Sequence, residues 1–361
     1  MPLPPLYGHD ELKTRLAGSL KARKLPPALL LVGPPGIGKQ RLALWIAAGL
    51  LCETGPGVPC GSCHSCHLVD TLQHPDVHWF FPMARPKGEE SKQVEEAEET
   101  LGEALAARRA NPLYGRPDGL HAIFLPMVRL LHRRAVMRPV MGRAKVFVVG
   151  DAERLVPQAS SPEAANAMLK VLEEPPPDTY FVLTTAEPSA LLPTIRSRLV
   201  PLRLRRLRGA DVARFLCEVP TPPVPAAEAE RRARTAYGSI GAALEDGGDA
   251  ESVQAGARRL LEVARGDAAA RFRHALGVRP YGARSDFSEV LDAAAELLRD
   301  GLEQRLRGAG DGGGEGAAEA PAERILEAIR EIERAKSWAR GNVNPQLIVA
   351  HLGRVLAEIG V

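Results

Sequence analysis

Residues 33–40 read Gly33-Pro34-Pro35-Gly36-Ile37-Gly38-Lys39-Gln40, a phosphate-binding loop complete except at its last position. In the pattern Gly-x-x-x-x-Gly-Lys followed by Ser or Thr, backbone N–H groups wrap the phosphates. The lysine reaches the β- and γ-oxygens and the hydroxyl holds Mg²⁺. Here Gln40 replaces the hydroxyl. An amide oxygen can bind a hard cation, but glutamine is longer and cannot sit where Ser or Thr sits. The flanks fit the motif. Leu29-Leu30-Leu31-Val32 reads as a buried strand, and Arg41–Leu51 as an apolar helix whose N-terminus faces the phosphates. The expectation is a loop that holds ATP or ADP, holds Mg²⁺ poorly, and does not hydrolyse its nucleotide.

At 361 residues, the chain is long enough for two or three domains with real cores. A hydrophobic fraction of 45% with 4% aromatic residues is ordinary for a soluble protein, and a net charge of +3 does not by itself imply nucleic acid. No run approaches 18 apolar residues, and Met1-Pro2-Leu3-Pro4-Pro5 lacks a signal-peptide pattern, so the expected location is the cytoplasm, away from membranes.

Along the chain, strands alternate with helices up to about residue 204, which points to a parallel α/β sheet. Residues 83–120 form a charged insertion (Lys87-Gly88-Glu89-Glu90, then Glu95, Glu96, Glu98 and Glu99) that reads as a solvated helix. Leu120–Met141 also reads as helical and leads into the strand Lys145-Val146-Phe147-Val148-Val149. Ala165, Met168, Leu169 and Leu172 recur at helical spacing until Pro175-Pro176-Pro177 stops them, and Tyr180–Thr185 is again a strand. After residue 205 the strands give way to a small helical unit (205–247) and a helical region (248–361). The latter is interrupted by a Gly-rich linker at 308–316.

Cys52, Cys60, Cys63 and Cys66 form a C-x₇-C-x₂-C-x₂-C cluster. In a reducing compartment such clustering favours a metal over disulfides, and four thiolates close a tetrahedral Zn²⁺ shell with no open position. The site (52–66) is expected to be structural, with His64 and His67 available to replace a cysteine; reduced buried cysteines are the alternative. Cys217, beside Phe215 and Leu216, reads as a core residue. The strand ending at Val149 should finish in an acidic pair if it follows the usual ATPase pattern, but Gly150 takes the place of the first acid and only Asp151 follows. Asp151 reads equally as a loop or capping residue. Thr194-Ile195-Arg196-Ser197-Arg198-Leu199 offers an arginine that could serve a neighbour's phosphate. With Arg203, Arg205, Arg206 and Arg208 it reads as readily as a solvated basic edge.

Together these residues resemble the subunits of the bacterial DNA polymerase III clamp loader, within the AAA+ ATPases. The resemblance also rests on His74-Pro75-Asp76, on Ala164-Ala165-Asn166-Ala167-Met168-Leu169-Lys170-Val171-Leu172-Glu173-Glu174-Pro175-Pro176 and on Leu192-Pro193-Thr194-Ile195-Arg196-Ser197-Arg198. It implies an AAA+ core (1–204), a helical lid (205–247) and a collar domain (248–361). The motor subunits, gamma or tau, have a hydroxyl where Gln40 stands, an acidic pair where Gly150 and Asp151 stand, and a sensor arginine where Gly241 stands. Retention of Arg198 without those groups is the delta-prime profile, although Leu199 replaces the usual Cys. The resemblance then implies motor (gamma/tau) and delta subunits as partners, the sliding clamp and primed DNA as targets through the complex, and Arg198 as a finger acting in trans. Two rivals stand beside it: a motor subunit that hydrolyses ATP, and a module that contacts DNA directly through its zinc site and arginines.

Overall fold

A computed structural model describes residues 2–84, 92–113, 121–155, 162–244, 248–278, 284–306, 320–340 and 343–361. The linker at 308–316 and the ends of the charged insertion, 85–91 and 114–120, lie outside them. The chain divides into two compact units, Met1–Glu245 and Asp246–Val361.

The first unit is built on five parallel strands in the order β2-β3-β4-β1-β5. They are β1 (Ala28–Val32), β2 (Val77–Phe80), β3 (Lys145–Val149), β4 (Thr179–Thr185) and β5 (Val200–Arg203). The three central strands are almost wholly buried and carry apolar runs (Leu29–Val32, Val146–Val149, Phe181–Leu183), as in a parallel sheet covered on both faces. Register is set by pairs such as Leu30 with Leu183 and Val148 with Val182. Phe80, Phe147 and Phe181 stack across β2, β3 and β4 with centroids 6.4 and 5.3 Å apart. The two outer strands carry no such signal in sequence. β2 is four residues long and includes His78, and β5 contains Pro201, which a parallel ladder tolerates at an edge.

The helices of this unit are α1 (Asp10–Lys21), α2 (Lys39–Leu51), α3 (His64–Asp70), α4 (Gln93–Ala110), α5 (Leu125–Ala135), α6 (Glu163–Glu173), α7 (Pro193–Arg196), α8 (Gly209–Glu218), α9 (Ala226–Thr235) and α10 (Ile240–Leu244). The expected stripe on α6 is present: Ala165, Met168 and Leu172 are buried and Leu169 is partly so. Residues 207–243 of the last three helices share a small apolar cluster with Tyr7, whose ring meets Phe215 edge-on at 5.3 Å.

Two expectations need correction. The charged insertion is not simply solvated. Ala97 and Leu101 of α4 are buried in the main core, Glu98 pairs with Arg133 and with Arg134 at 2.7 Å, and Arg108 lies over the rings of Trp79 and Phe81. Two apolar residues among glutamates suffice because the rest of the helix faces water. The helix expected over Leu120–Met141 spans only Leu125–Ala135. Beyond it the chain is held by two buried charges. The Asp76 carboxylate accepts from the N–H groups of Val140, Met141 and Gly142 at 2.6, 2.8 and 2.6 Å. Lys145 Nζ donates to the carbonyls of Arg134, Ala135 and Met137. Such bonds compete with helical ones and end the helix. Asp76→Ala leaves three amides without their acceptor and is expected to cost about 3 kcal/mol, read as a lower urea midpoint.

The second unit comprises α11 (Gly248–Arg265), α12 (Ala268–Gly277), α13 (Arg284–Leu306), α14 (Ala322–Arg340) and α15 (Pro345–Ile359). Their apolar faces, including Leu260, Leu291, Leu298, Ile325, Ile332, Leu352 and Leu356, form one core. Lys336 is buried there, paired with Asp292 and with Glu333 at 3.0 Å.

Candidate functional site

The Gly33–Gln40 loop connects the C-terminal end of β1 to α2, with Gly36 and Gly38 at φ 72° and 90°, the left-handed region open to glycine. Each carbonyl from 33 to 38 has a donor. Lys39 Nζ donates to Gly33 O and Pro34 O at 2.9 and 2.7 Å, Ser239 Oγ to Pro35 O at 3.1 Å, and the Gly241 N–H to Gly36 O at 3.1 Å. His9 Nε2 lies 2.8 Å from Ile37 O, and the Leu42 N–H donates to Gly38 O. In a trans peptide the N–H points opposite to the C=O. Each of these peptides therefore turns its N–H away from the donor that holds its C=O, as in a loop that can cradle an anion. Gly241 meets Gly36 backbone to backbone: a Cβ there would come 2.9 Å from Gly36 Cα.

The other flank of the loop is filled. Gln40 Oε1 accepts from Trp79 Nε1 at 3.1 Å, and Gln40 Nε2 donates to Asp151 Oδ2 at 3.2 Å. A Cβ on Gly150 would fall 2.5 Å from Gln40 Oε1. Asp151, at φ 49°, donates its N–H to Thr184 Oγ1 at 3.1 Å. Glu153 follows on the next turn, with Oε2 shut off from solvent and unpartnered. Burial first, and the charge of Asp151 second, push its carboxyl above the ordinary range.

Arg198 lies at the other end of the sheet. It follows α7 and precedes β5, whose Val200 pairs with Leu29. Gly33 is four residues further along β1, about 13 Å at the strand rise. The guanidinium pairs with Glu173 and donates to Thr194 O at 2.6 Å. Of the other arginines in the run, Arg206 bonds Tyr237 O and Arg208 pairs with Asp211 at 3.1 Å, so part of the basic edge is tied into the helical unit.

The four clustered cysteines come together. All four Sγ atoms lie within 4.8 Å of one another, with Cys52–Cys63 and Cys60–Cys66 at 4.0 Å. Four sulfurs about 2.3 Å from one tetrahedral ion stand about 3.8 Å apart, so the donor set and spacing fit a bound metal. Cys63 caps α3, the Cys63 N–H donates to Cys60 Sγ at 3.3 Å, and the Cys66 N–H to Cys63 Sγ at 3.4 Å. Backbone donation, from Ser62 first, pushes the Cys60 thiol down to about 5. His64 and His67 are not in this group, which among the described residues consists of the four cysteines. Cys217 is half-buried against the small cluster of the helical unit.

Sequence reasoning did not find Trp79, Arg108 or His9, and quoted Glu173 without a role, because only the fold carries them to these places. Ser239, two residues before Gly241, was given no role either.

Residues 8–208, more than half of the chain, match the model of the family described as DNA polymerase III, delta subunit. The chain belongs to that family. Its relatives include the delta-prime subunits of DNA polymerase III from Pseudomonas aeruginosa, 37% identical over 174 residues (48% of this chain, 41% of that protein), and from Escherichia coli, 34% identical over 185 residues (51% and 44%). The tau/gamma subunit of Haemophilus influenzae is 29% identical over 239 residues, 65% of this chain and 29% of that protein. In each case the chain spans less than half the length of the relative. The family match and the delta-prime relatives agree with the delta-prime-like resemblance drawn from the motifs, within a family that also takes in tau/gamma subunits. Among the described residues no helix is long and apolar enough to cross a membrane.

Proposed function

We propose that the chain is the delta-prime-like subunit of a DNA polymerase III clamp loader, a cytoplasmic complex that places the sliding clamp on primed DNA. It joins motor (gamma/tau) and delta subunits and donates Arg198 to a motor neighbour's ATP without hydrolysing ATP itself. The observation that carries this is the place of Arg198, before the start of β5, at the end of the strands away from the chain's own phosphate loop. From there the guanidinium cannot serve the Gly33–Gln40 loop and is available to a nucleotide bound by another subunit. In this reading residues 1–204 form the AAA+ core, 205–247 its lid and 248–361 a collar domain. Cys52, Cys60, Cys63 and Cys66 hold a structural Zn²⁺. Gly33, Pro34, Pro35, Gly36, Ile37, Gly38 and Lys39 cradle ATP or ADP, with Gln40 beside them.

The competing reading is a gamma/tau-like motor, favoured by the tau/gamma match reaching over 65% of the chain. Against it stand Gln40, Gly150 and Gly241 in the three places where a motor handles metal and γ-phosphate. Mg²⁺-ATPase turnover of the purified chain separates the two. The expected result is no turnover that Lys39→Ala removes; turnover lost in that variant overturns the stationary reading.

A further inference from the structure

We propose that the loop takes its polyphosphate ligand as the metal-free anion, with the amide of Gln40 standing where a divalent cation would be coordinated. The inference rests on the reading that the loop binds a nucleotide.

In phosphate loops the cation is held by the hydroxyl that ends the loop and by the acid at the end of a second strand, here β3. Neither is available here, and the residues present do not fit Mg²⁺. Gln40 has an oxygen suited to a hard cation, but that oxygen accepts from Trp79 Nε1. The amide nitrogen faces the carboxylate of Asp151, so the one acid at the strand end is itself engaged by a protein donor. The place of the missing acid is not open either, since a Cβ on Gly150 would lie 2.5 Å from Gln40 Oε1. Gln40 and Gly150 are therefore coupled: a side chain at position 150 would displace the Gln40 amide from where it now sits, between Trp79 and Asp151.

Swinging Gln40 aside would leave the indole N–H of Trp79, a residue only 3% exposed, without this acceptor. Arg108 lies 4.3 Å over the same ring, so the insertion helix α4 backs the arrangement. Glu153 is the next carboxyl, and burial favours its protonated form. The other groups of the loop on this side are donors: the N–H groups of 36–38, and Lys39, whose ammonium donates to Gly33 O and Pro34 O. They suit a polyphosphate carrying its full charge.

The test is the affinity of the full chain for ADP and for ATP, by calorimetric titration, in EDTA and in excess Mg²⁺. The expected result is saturable binding in EDTA that is no weaker than in Mg²⁺. Binding at least tenfold tighter with Mg²⁺, or no saturable binding in EDTA, overturns the proposal. Restoring both groups (Gln40→Thr with Gly150→Asp) is expected to confer at least tenfold tightening by Mg²⁺; a folded double variant still indifferent to the cation counts against the assignment to Gln40. If that variant fails to fold, the titration of the natural chain still decides. Mg²⁺-tightened binding without turnover overturns only this inference, whereas Lys39-dependent turnover overturns the stationary reading.

Discussion

In a clamp loader reconstituted with its motor subunits, Arg198→Ala is expected to slow hydrolysis at the adjoining motor site by about 10³–10⁵-fold, the range measured for arginine fingers. The variant should fold normally. Arg198 is about one-third exposed and its partner Glu173 about one-half (31% and 48%). A pair so exposed is worth about 0–1 kcal/mol, so loss of rate cannot be assigned to loss of the subunit. Arg198→Lys keeps the charge but not the planar fork and is expected to recover only part of the rate. Arg196→Ala, two residues away and exposed, is the control expected to retain it. Single-turnover, clamp-dependent ATPase is the measurement, since steady-state rates average over all motor sites. Full activity of Arg198→Ala would remove the finger from the proposal and leave the arginine run as a solvated edge.

The parts of the fold legible in sequence are those where one residue pattern decides one structure. Leu29–Val32 is apolar because β1 is covered on both faces, and the glycines after it are needed for the turn. The cysteines are legible because two-residue gaps let thiolates converge. The outer strands were not, because four residues with a histidine or a proline do not outweigh turn signals. The helix over 125–135 was read too long because Asp76, far away in sequence, captures the amides beyond its end. At the phosphate loop the sequence reveals that a hydroxyl and an acid are missing. It does not reveal that Gln40 fills the space of both, since that depends on Trp79 and Asp151 arriving from separate strands. Absence can be read from a motif; what occupies the vacancy is a tertiary fact.

One zinc per chain is expected in protein purified without chelator. Its loss, by Cys66→Ser or by stripping, is expected to unfold residues 52–66 while the sheet persists. Structural zinc contributes about 10–16 kcal/mol of apparent binding energy in small modules, against a few hydrogen bonds here, from Ser65 to Glu53 and from the Gly57 N–H to Gly49 O. Val58 is 59% exposed, and Gly55, Gly57 and Gly61 all have positive φ. Within 52–66 the buried apolar side chains are Cys52 and Cys66, both in the thiol cluster. Without an ion, thiols at 4.0 Å have only weak mutual bonds. Hydrogen exchange should therefore show protection lost over 52–66 and retained in β1, β3 and β4; less than one equivalent of metal by elemental analysis would remove the site. The damage should also stop short of the phosphate loop. α2 runs from Lys39 to Leu51, about 20 Å at the helical rise, and nine of its residues are buried, including Leu42, Ala43 and Ile46 near the loop. Those contacts belong to the sheet core and do not depend on the metal. Nucleotide affinity unchanged by zinc removal is thus the expected companion result, and it would mark the thiolate cluster as a local brace rather than a part of the nucleotide site.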